Sequence, residues 1–236
     1  MALFKQLVSK IRHTYRDLDH HLGWRFLYSS RETLKPSTEI IFVGLNPGGK
    51  EFEKPQASCE SGNAYRSEKW NKKPPSHNAL QEQVCLLYEG IAKAIHSQSR
   101  DKLMDESLAG NFIPFRSQSI PKLDSPDPCR KLAREIWSSV LDYVKPRLVI
   151  TMGREVTDEI VGLIEEHATV AVPTKRKTGW GEITYDLRRA SLGGHRTLII
   201  GLPHLSRFRI FGRKEAGEKF QPMWNAIRKA MSEVQL

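Results

Sequence analysis

Apolar residues recur along this chain with two different periods. Phe4, Leu7, Val8, Ile11, Tyr15 and Leu18 return at helical spacing, which predicts an amphipathic amino-terminal helix within residues 1–22. Ile40-Ile41-Phe42-Val43 is an unbroken run of strand formers, the pattern of a strand buried on both faces. It stops at Gly44-Leu45-Asn46-Pro47-Gly48-Gly49-Lys50, where Gly, Asn and Pro break the strand. Residues 51–75 then show no clear period. An irregular insertion of that length is uncommon in a compact domain and is usually functional.

Helical spacing returns at Asn78–His96, with Leu80, Val84, Leu87, Ile91 and Ile95 on one face. A second strand is predicted around Leu108–Ile113, before Pro114-Phe115-Arg116-Ser117. Pro128–Tyr143 reads as a helix capped by Asp127, with Pro128 at its first position. Leu148–Met152 is a third strand, Gly153 a turn, and Glu155–Glu166 a further helix. Thr169–Gly194 is mixed, with room for a β-hairpin; Thr197–Ile200 is a fourth strand; a last helix covers about Glu215–Met231. Strands alternating with helices predict the α/β class: a single three-layer αβα domain over residues 1–236, on a mostly parallel sheet of four strands.

Charge narrows the partners. Lys and Arg number 37 against 27 Asp and Glu, giving a formal net charge of +10, which suits a polyanionic partner. No run approaches the ~20 apolar residues of a membrane span, and Met1-Ala2-Leu3-Phe4-Lys5-Gln6 lacks a signal-peptide core. A cytoplasmic protein without a membrane partner is expected. Cys59, Cys85 and Cys129 are dispersed and odd in number, so neither a disulfide framework nor a C-x-x-C site is expected. The eight histidines include no H-E-x-x-H pair; no metal site and no cofactor are expected.

Parallel strands bring their carboxyl ends to one sheet edge, where open α/β sheets bind ligands. Asn46, Asn111 and His204, each beyond a predicted strand, are therefore expected to converge. Gly44–Lys50 also fits most of a phosphate-binding G-x-x-x-x-G-K loop. However, Glu51 stands where Ser or Thr should hold magnesium, and Pro47 removes a backbone N–H. A turn without chemistry is the plainest alternative.

Three motifs, in order, carry a resemblance. Gly44-Leu45-Asn46-Pro47-Gly48 resembles the first active-site motif of the uracil-DNA glycosylase superfamily, in the Asn-Pro-Gly form of its mismatch-specific and single-strand-selective branches. Asn111-Phe112-Ile113-Pro114-Phe115-Arg116 is similar to the segment bearing that family's base-reading asparagine, and Val149–Gly153 to its intervening strand and turn. Leu202-Pro203-His204-Leu205-Ser206-Arg207 resembles the second active-site motif, with Leu202 where the family commonly has His or Asn. The likeness spans about Ile40–Phe211.

The resemblance implies a uracil-DNA glycosylase-like fold, acting as a monomer on DNA with no metal cluster. The three dispersed cysteines also argue against the iron–sulfur cluster of some branches. The enzyme it implies flips a nucleotide out and hydrolyses its glycosidic bond, leaving an abasic site. Asn46 would orient the attacking water, an amide being too weak a base to deprotonate it. Gly44, Leu45, Pro47 and Gly48 would line the base pocket, Asn111 would read the base edge, and Phe52 or Tyr65 would stack on it. His204 is expected to take the catalytic place that Leu202 leaves empty, the alternative being that it only binds DNA phosphate. Leu205 or Phe208 would wedge into the stack while Ser206, Arg207 and Arg209 hold phosphate, with Arg213 nearby.

Gly48 stands where the strict uracil-removing branch has a Tyr that blocks carbon 5 of the pyrimidine. The small residue admits 5-substituted pyrimidines, including bulky modified cytosines of phage DNA such as its glucosylated hydroxymethyl form. Glu53, Gln56, Ser61 and Asn63 could bond a substituent. Uracil or mismatch repair, a non-catalytic DNA-binding module of this fold, and a P-loop-like nucleotide-binding enzyme are the alternatives.

Overall fold

Residues with both faces apolar become central strands. In a computed structural model describing residues 1–96, 99–192, 194–213 and 217–232, the run Ile40–Val43 is fully buried within strand β1 (Ile40–Gly44). Its side chains alternate: Ile41 and Val43 enter one core, Ile40 and Phe42 the other. Each such burial is worth about 1.5–3 kcal/mol, so this strand is a main anchor of the fold. Strands β2 (Leu108–Asn111), β3 (Leu148–Met152) and β6 (His195–Leu202) complete a parallel set, in the order β2-β1-β3-β6.

The sheet does not stop at these four strands. β5 (Thr184–Leu192) pairs antiparallel with β6, and β4 (Thr174–Lys177) antiparallel with β5, making one six-stranded mixed sheet. The hairpin that the sequence left undecided thus extends the sheet and corrects the four-strand expectation. β4 is exposed throughout, so its polar sequence carries no strand alternation to read.

Helices cover both faces. α1 (Ala2–Asp17), α5 (Pro126–Val144) and α6 (Arg154–Glu165) bury their apolar stripes in one core. α3 (Ala79–Ala94) and α7 (Gln221–Ser232), with the short helices α2 (Ala64–Ser67) and α4 (Arg100–Glu106), pack on the other. The architecture is α/β with three layers. Asp127 lies in the first turn of α5 and Ser125 takes the cap position; Pro126, unrecognised as a start signal, opens the helix. α3 ends before His96, which has a left-handed backbone, and α7 begins after a short 3-10 turn at Glu218–Phe220. Glu215 and Ala216, given to that last helix, lie outside the described residues.

One structural segment has no counterpart in the sequence reading. Residues 23–28 run antiparallel along the free edge of β2, with bridges Leu27–Gly110 and Trp24–Phe115. On their other side they bond the insertion, Phe26 N to Gln56 O at 3.1 Å and Leu27 N to Ala57 O at 3.2 Å. The irregular residues 51–75 are thus held against the sheet edge through Glu53, Gln56, Ala57 and Cys59, and they include α2. Among the described residues no helix is long and apolar enough to cross a membrane, and none group as a metal site.

Candidate active site

The carboxyl ends of β2, β1, β3 and β6 form one edge, and strand pairing fixes who meets there. Gly44 pairs with Asn111, and Met152 with Leu202. The β1–β2 alignment persists past the strands through Phe112 N to Gly44 O and Ile113 N to Leu45 O, both 2.8 Å. Trp137 Nε1 donates to the carbonyls of Asn111 and Phe112 at 3.1 Å, fixing the turn from below.

Asn46 lies two residues beyond β1 and is half-buried. Its Nδ2 donates to Ser117 O at 3.2 Å, Ser117 Oγ at 3.1 Å and Pro47 O at 3.2 Å. Two of these acceptors are carbonyls, so the amide must turn its NH2 toward them. Oδ1 is left with no donor among the described residues, an acceptor held in a fixed direction. Arg116 clamps the loop: it donates to Gly48 O and to Glu53 Oε2, the latter at 2.5 Å, and it lies against Gly49.

Asn111 is 3 % exposed, and its Nδ2 lacks a hydrogen-bond partner. A buried amide donor left unpaired costs about 1–3 kcal/mol, which a ligand could recover. Its Oδ1 sits so close over Gly44 that a Cβ there would meet it at 2.7 Å. Burial raises the Tyr28 pKa, against Arg25, the Asn111 amide and Arg116; the Tyr28 hydroxyl thus faces the Asn111 amide without closing a hydrogen bond of good geometry with it.

Tyr65 takes part in the aromatic wall, stacked on Tyr28 at 5.2 Å between ring centres and edge-on to Phe42 and Trp70. Its hydroxyl reaches to within 3.8 Å of where a Gly44 Cβ would lie. Behind this wall Arg25, set over the Tyr28 ring at 4.1 Å, donates from its two terminal guanidinium nitrogens to Glu68 at 2.7 and 2.6 Å. Burial pushes the Glu68 carboxyl up, but the Arg25 bonds outweigh it and hold it below its usual value. Sequence reading missed Tyr28, Arg25 and Glu68. Trp24–Tyr28 alone could have hinted at an edge strand, by its large aromatic and aliphatic residues.

Phe52, by contrast, is 59 % exposed and stands apart from this aromatic cluster. Asn63 is wholly buried, its amide spent on capping α2 and bonding Met104 O, so it is not a pocket group.

Across the edge, Leu202 is buried and His204 lies two residues on, half-buried. Its Nδ1 is 2.8 Å from Ser206 Oγ. A hydroxyl donated to Nδ1 leaves the ring proton on Nε2, free to bond a ligand. Burial, with Arg207 adding to it, holds His204 below its ordinary pKa, so the ring is neutral at pH 7. Leu205 is 0 % exposed and belongs to the core, which corrects its assignment as a wedge. Arg207 lies exposed beside Phe208, its guanidinium 5.6 Å from the ring centre, while Arg209 pairs with Glu82.

No helix begins at Lys50, the next described one starting at Ala64, so Gly44–Lys50 lacks the helix terminus that a phosphate loop uses. Of four surface clefts of about 340–520 Å³, none is lined by Asn46, Asn111 or His204. Comparison with known proteins finds no matching family model and no matching curated protein.

Proposed function

We propose that this protein is a monofunctional DNA glycosylase of uracil-DNA glycosylase-like fold, working at the edge between Asn46, Asn111 and His204. The observation that carries the reading is the pair of asparagines. Asn46 presents a fixed acceptor with its donor side tied to Ser117, and Asn111 keeps a buried, unpaired donor a strand away. One amide is arranged to hold a water and the other to hold a base. His204 stands two strands from Asn46, roughly 10 Å at ordinary strand spacing, room for one flipped nucleotide. The net charge of +10 supports a DNA partner.

Cleavage develops positive charge on the sugar and negative charge on the departing base. A neutral Nε2–H of His204 can donate to that base, the part Leu202 cannot play. Asn46 Oδ1 aligns the water that completes the hydrolysis. Gly48, exposed and with open space where a Cβ would stand, supports a pocket that admits pyrimidines substituted at carbon 5. A 5-substituted pyrimidine is the substrate class we favour, bulky modified cytosines of phage DNA included, with plain uracil second.

Matched duplexes carrying uracil, thymine, 5-hydroxymethylcytosine or its glucosylated form, treated with protein and then alkali, provide the test. Strand breaks at a substituted pyrimidine are expected. Breaks at uracil alone overturn the substrate; none on any duplex or single strand overturns the enzyme and leaves a binding module.

A further inference from the structure

The motif loop after β6 gives no exposed wedge, but a neighbouring element does. β5 runs antiparallel to β6, with Asp186 opposite Gly201, so the β4–β5 turn lies at the same sheet edge as His204. That turn is tightly made. Thr178 N and Oγ1 both bond Ile183 O at 2.9 Å, Trp180 N bonds Thr178 Oγ1 at 3.2 Å, and Ile183 N bonds Trp180 O at 3.0 Å.

It presents Trp180, 37 % exposed, edge-on to Phe208 at 6.5 Å and beneath the Arg213 guanidinium at 4.4 Å. The turn and the loop after β6 thus share one aromatic knob. Leading to it, β4 reads Thr174-Lys175-Arg176-Lys177, exposed at every position and at the edge of the sheet. Only Lys177 among these cations has an ion pair with a described residue, an exposed one with Glu182.

We propose that the β4–β5 hairpin is a DNA-binding arm: β4 holds backbone phosphates, and Trp180 with Phe208 supplies the apolar contact between bases that buried Leu205 cannot. Cations flanking an exposed aromatic are what duplex distortion needs, charge to hold the backbone and a ring to fill the opened step. The inference rests on reading DNA as the substrate, and its test separates the two. A plainer role for the lysines is to keep an exposed edge from pairing with another chain.

Two variants decide it. Lys175→Ala/Arg176→Ala/Lys177→Ala should weaken DNA binding and lower the salt slope by about 1.8, at ~0.9 for each of the two cations without a carboxylate partner among the described residues, Lys177 being paired with Glu182. An unchanged slope, with or without aggregation of the variant, overturns the arm. Trp180→Ala should cut excision from duplex about tenfold or more, yet stay within about threefold of wild type on single strands, where no stack has to be opened. An equal effect on both substrates overturns the wedge role. Should the wild type excise nothing, the glycosylase reading falls alone, and the salt slope with duplex DNA still decides the arm.

Discussion

The two flanks of the sheet are built on opposite principles. On the β2–β1 side polar side chains are tied, and most are at least partly buried: Arg25 to Glu68, Arg116 to Gly48 and the exposed Glu53, half-buried Asn46 to Ser117. On the β6–β5–β4 side they are exposed, as in Arg207 and the cations of β4. Buried and tied groups fix directions, which suits reading a base and placing a water; exposed cations carry no direction but attract a polyanion from any approach. The contrast divides the work of the proposed enzyme: base reading and water placement on one flank, grip on the other, with His204 just past β6 the chemical group on the gripping side. Substitutions on the first should change what is done to DNA, and on the second, His204 and Trp180 apart, how tightly any DNA is held.

Asn46→Ala is the largest expected break. Excision should fall by about 100-fold or more, the usual scale for losing a preorganised polar group, with DNA affinity unchanged within a few-fold. Single-turnover excision and a binding isotherm on the same duplex measure both. Equal losses in the two would move Asn46 to the gripping flank and dissolve the comparison.

Glu68→Gln tests whether the tied flank depends on its buried ion pair. The substitution leaves Arg25 charged and deeply buried with only a neutral partner. Breaking such a pair costs about 3–5 kcal/mol when fully buried; Glu68, a quarter exposed, should cost about 2–3. Urea unfolding reads this directly. A change under about 0.5 kcal/mol would mean that the pair is not what holds Tyr28 in place.

Two glycines sharpen the division within the reading flank. At Gly44 a methyl would sit 2.7 Å from Asn111 Oδ1, so Gly44→Ala should displace the reading amide and lower excision of every base. At Gly48 nothing lies within 4 Å, so Gly48→Tyr should cost little stability and exclude bulky 5-substituted pyrimidines first. Comparing rates on uracil and on a substituted pyrimidine separates a lost reader from a filled pocket. A uniform loss with Gly48→Tyr would show that the space beside Gly48 is not the pocket.

Legibility in the sequence follows the same division. β1, β3 and the β6 core were readable because strands buried on both faces must be continuously apolar. Asn46 and Asn111 were readable as strand-end residues of a parallel sheet, and pairing does bring them to one edge. Their surroundings were not. Tyr28 and Arg25 come from an edge segment paired through isolated bridges, and Glu68 meets Arg25 across 43 positions, contacts that no local period announces. Leu205 looked like a wedge by its place in the motif, and only tertiary packing shows it buried. Polarity hid β4, since an exposed edge strand needs no apolar face.

Acid should weaken the fold more gently. His20, stacked on Phe115 at 4.5 Å between ring centres, and His204 beyond β6 are both held below their usual value of 6.5 chiefly by burial. The unfolded chain therefore takes up these protons first as pH falls, so stability drops below about 6.5 until the folded values are passed. Glu68, held below 4.5, adds a second loss with the same sign at lower pH, as protonation removes its bonds to Arg25. Unfolding midpoints at pH 7.5 and 5.5 should differ, and His20→Asn should narrow the gap. A midpoint independent of pH over that range would show that neither histidine is buried neutral.

The smallest effects belong to the gripping flank, where single charges are screened. Arg207 is exposed with its cation free of any carboxylate among the described residues, and Arg209 is paired with Glu82. A phosphate that meets Arg207 gains a full charge contact, while one that meets Arg209 must compete with a carboxylate already there. Arg207→Ala is therefore expected to reduce the salt slope by about 0.9 and affinity by a few-fold, alike for all sequences. Arg209→Ala should do less, because the free Glu82 it leaves behind repels DNA only through screened solvent. Replacing both Arg209 and Glu82 should return affinity close to wild type. If Arg209→Ala lowers the slope as much as Arg207→Ala, the ion pair opens on DNA and Arg209 holds phosphate as fully as its neighbour.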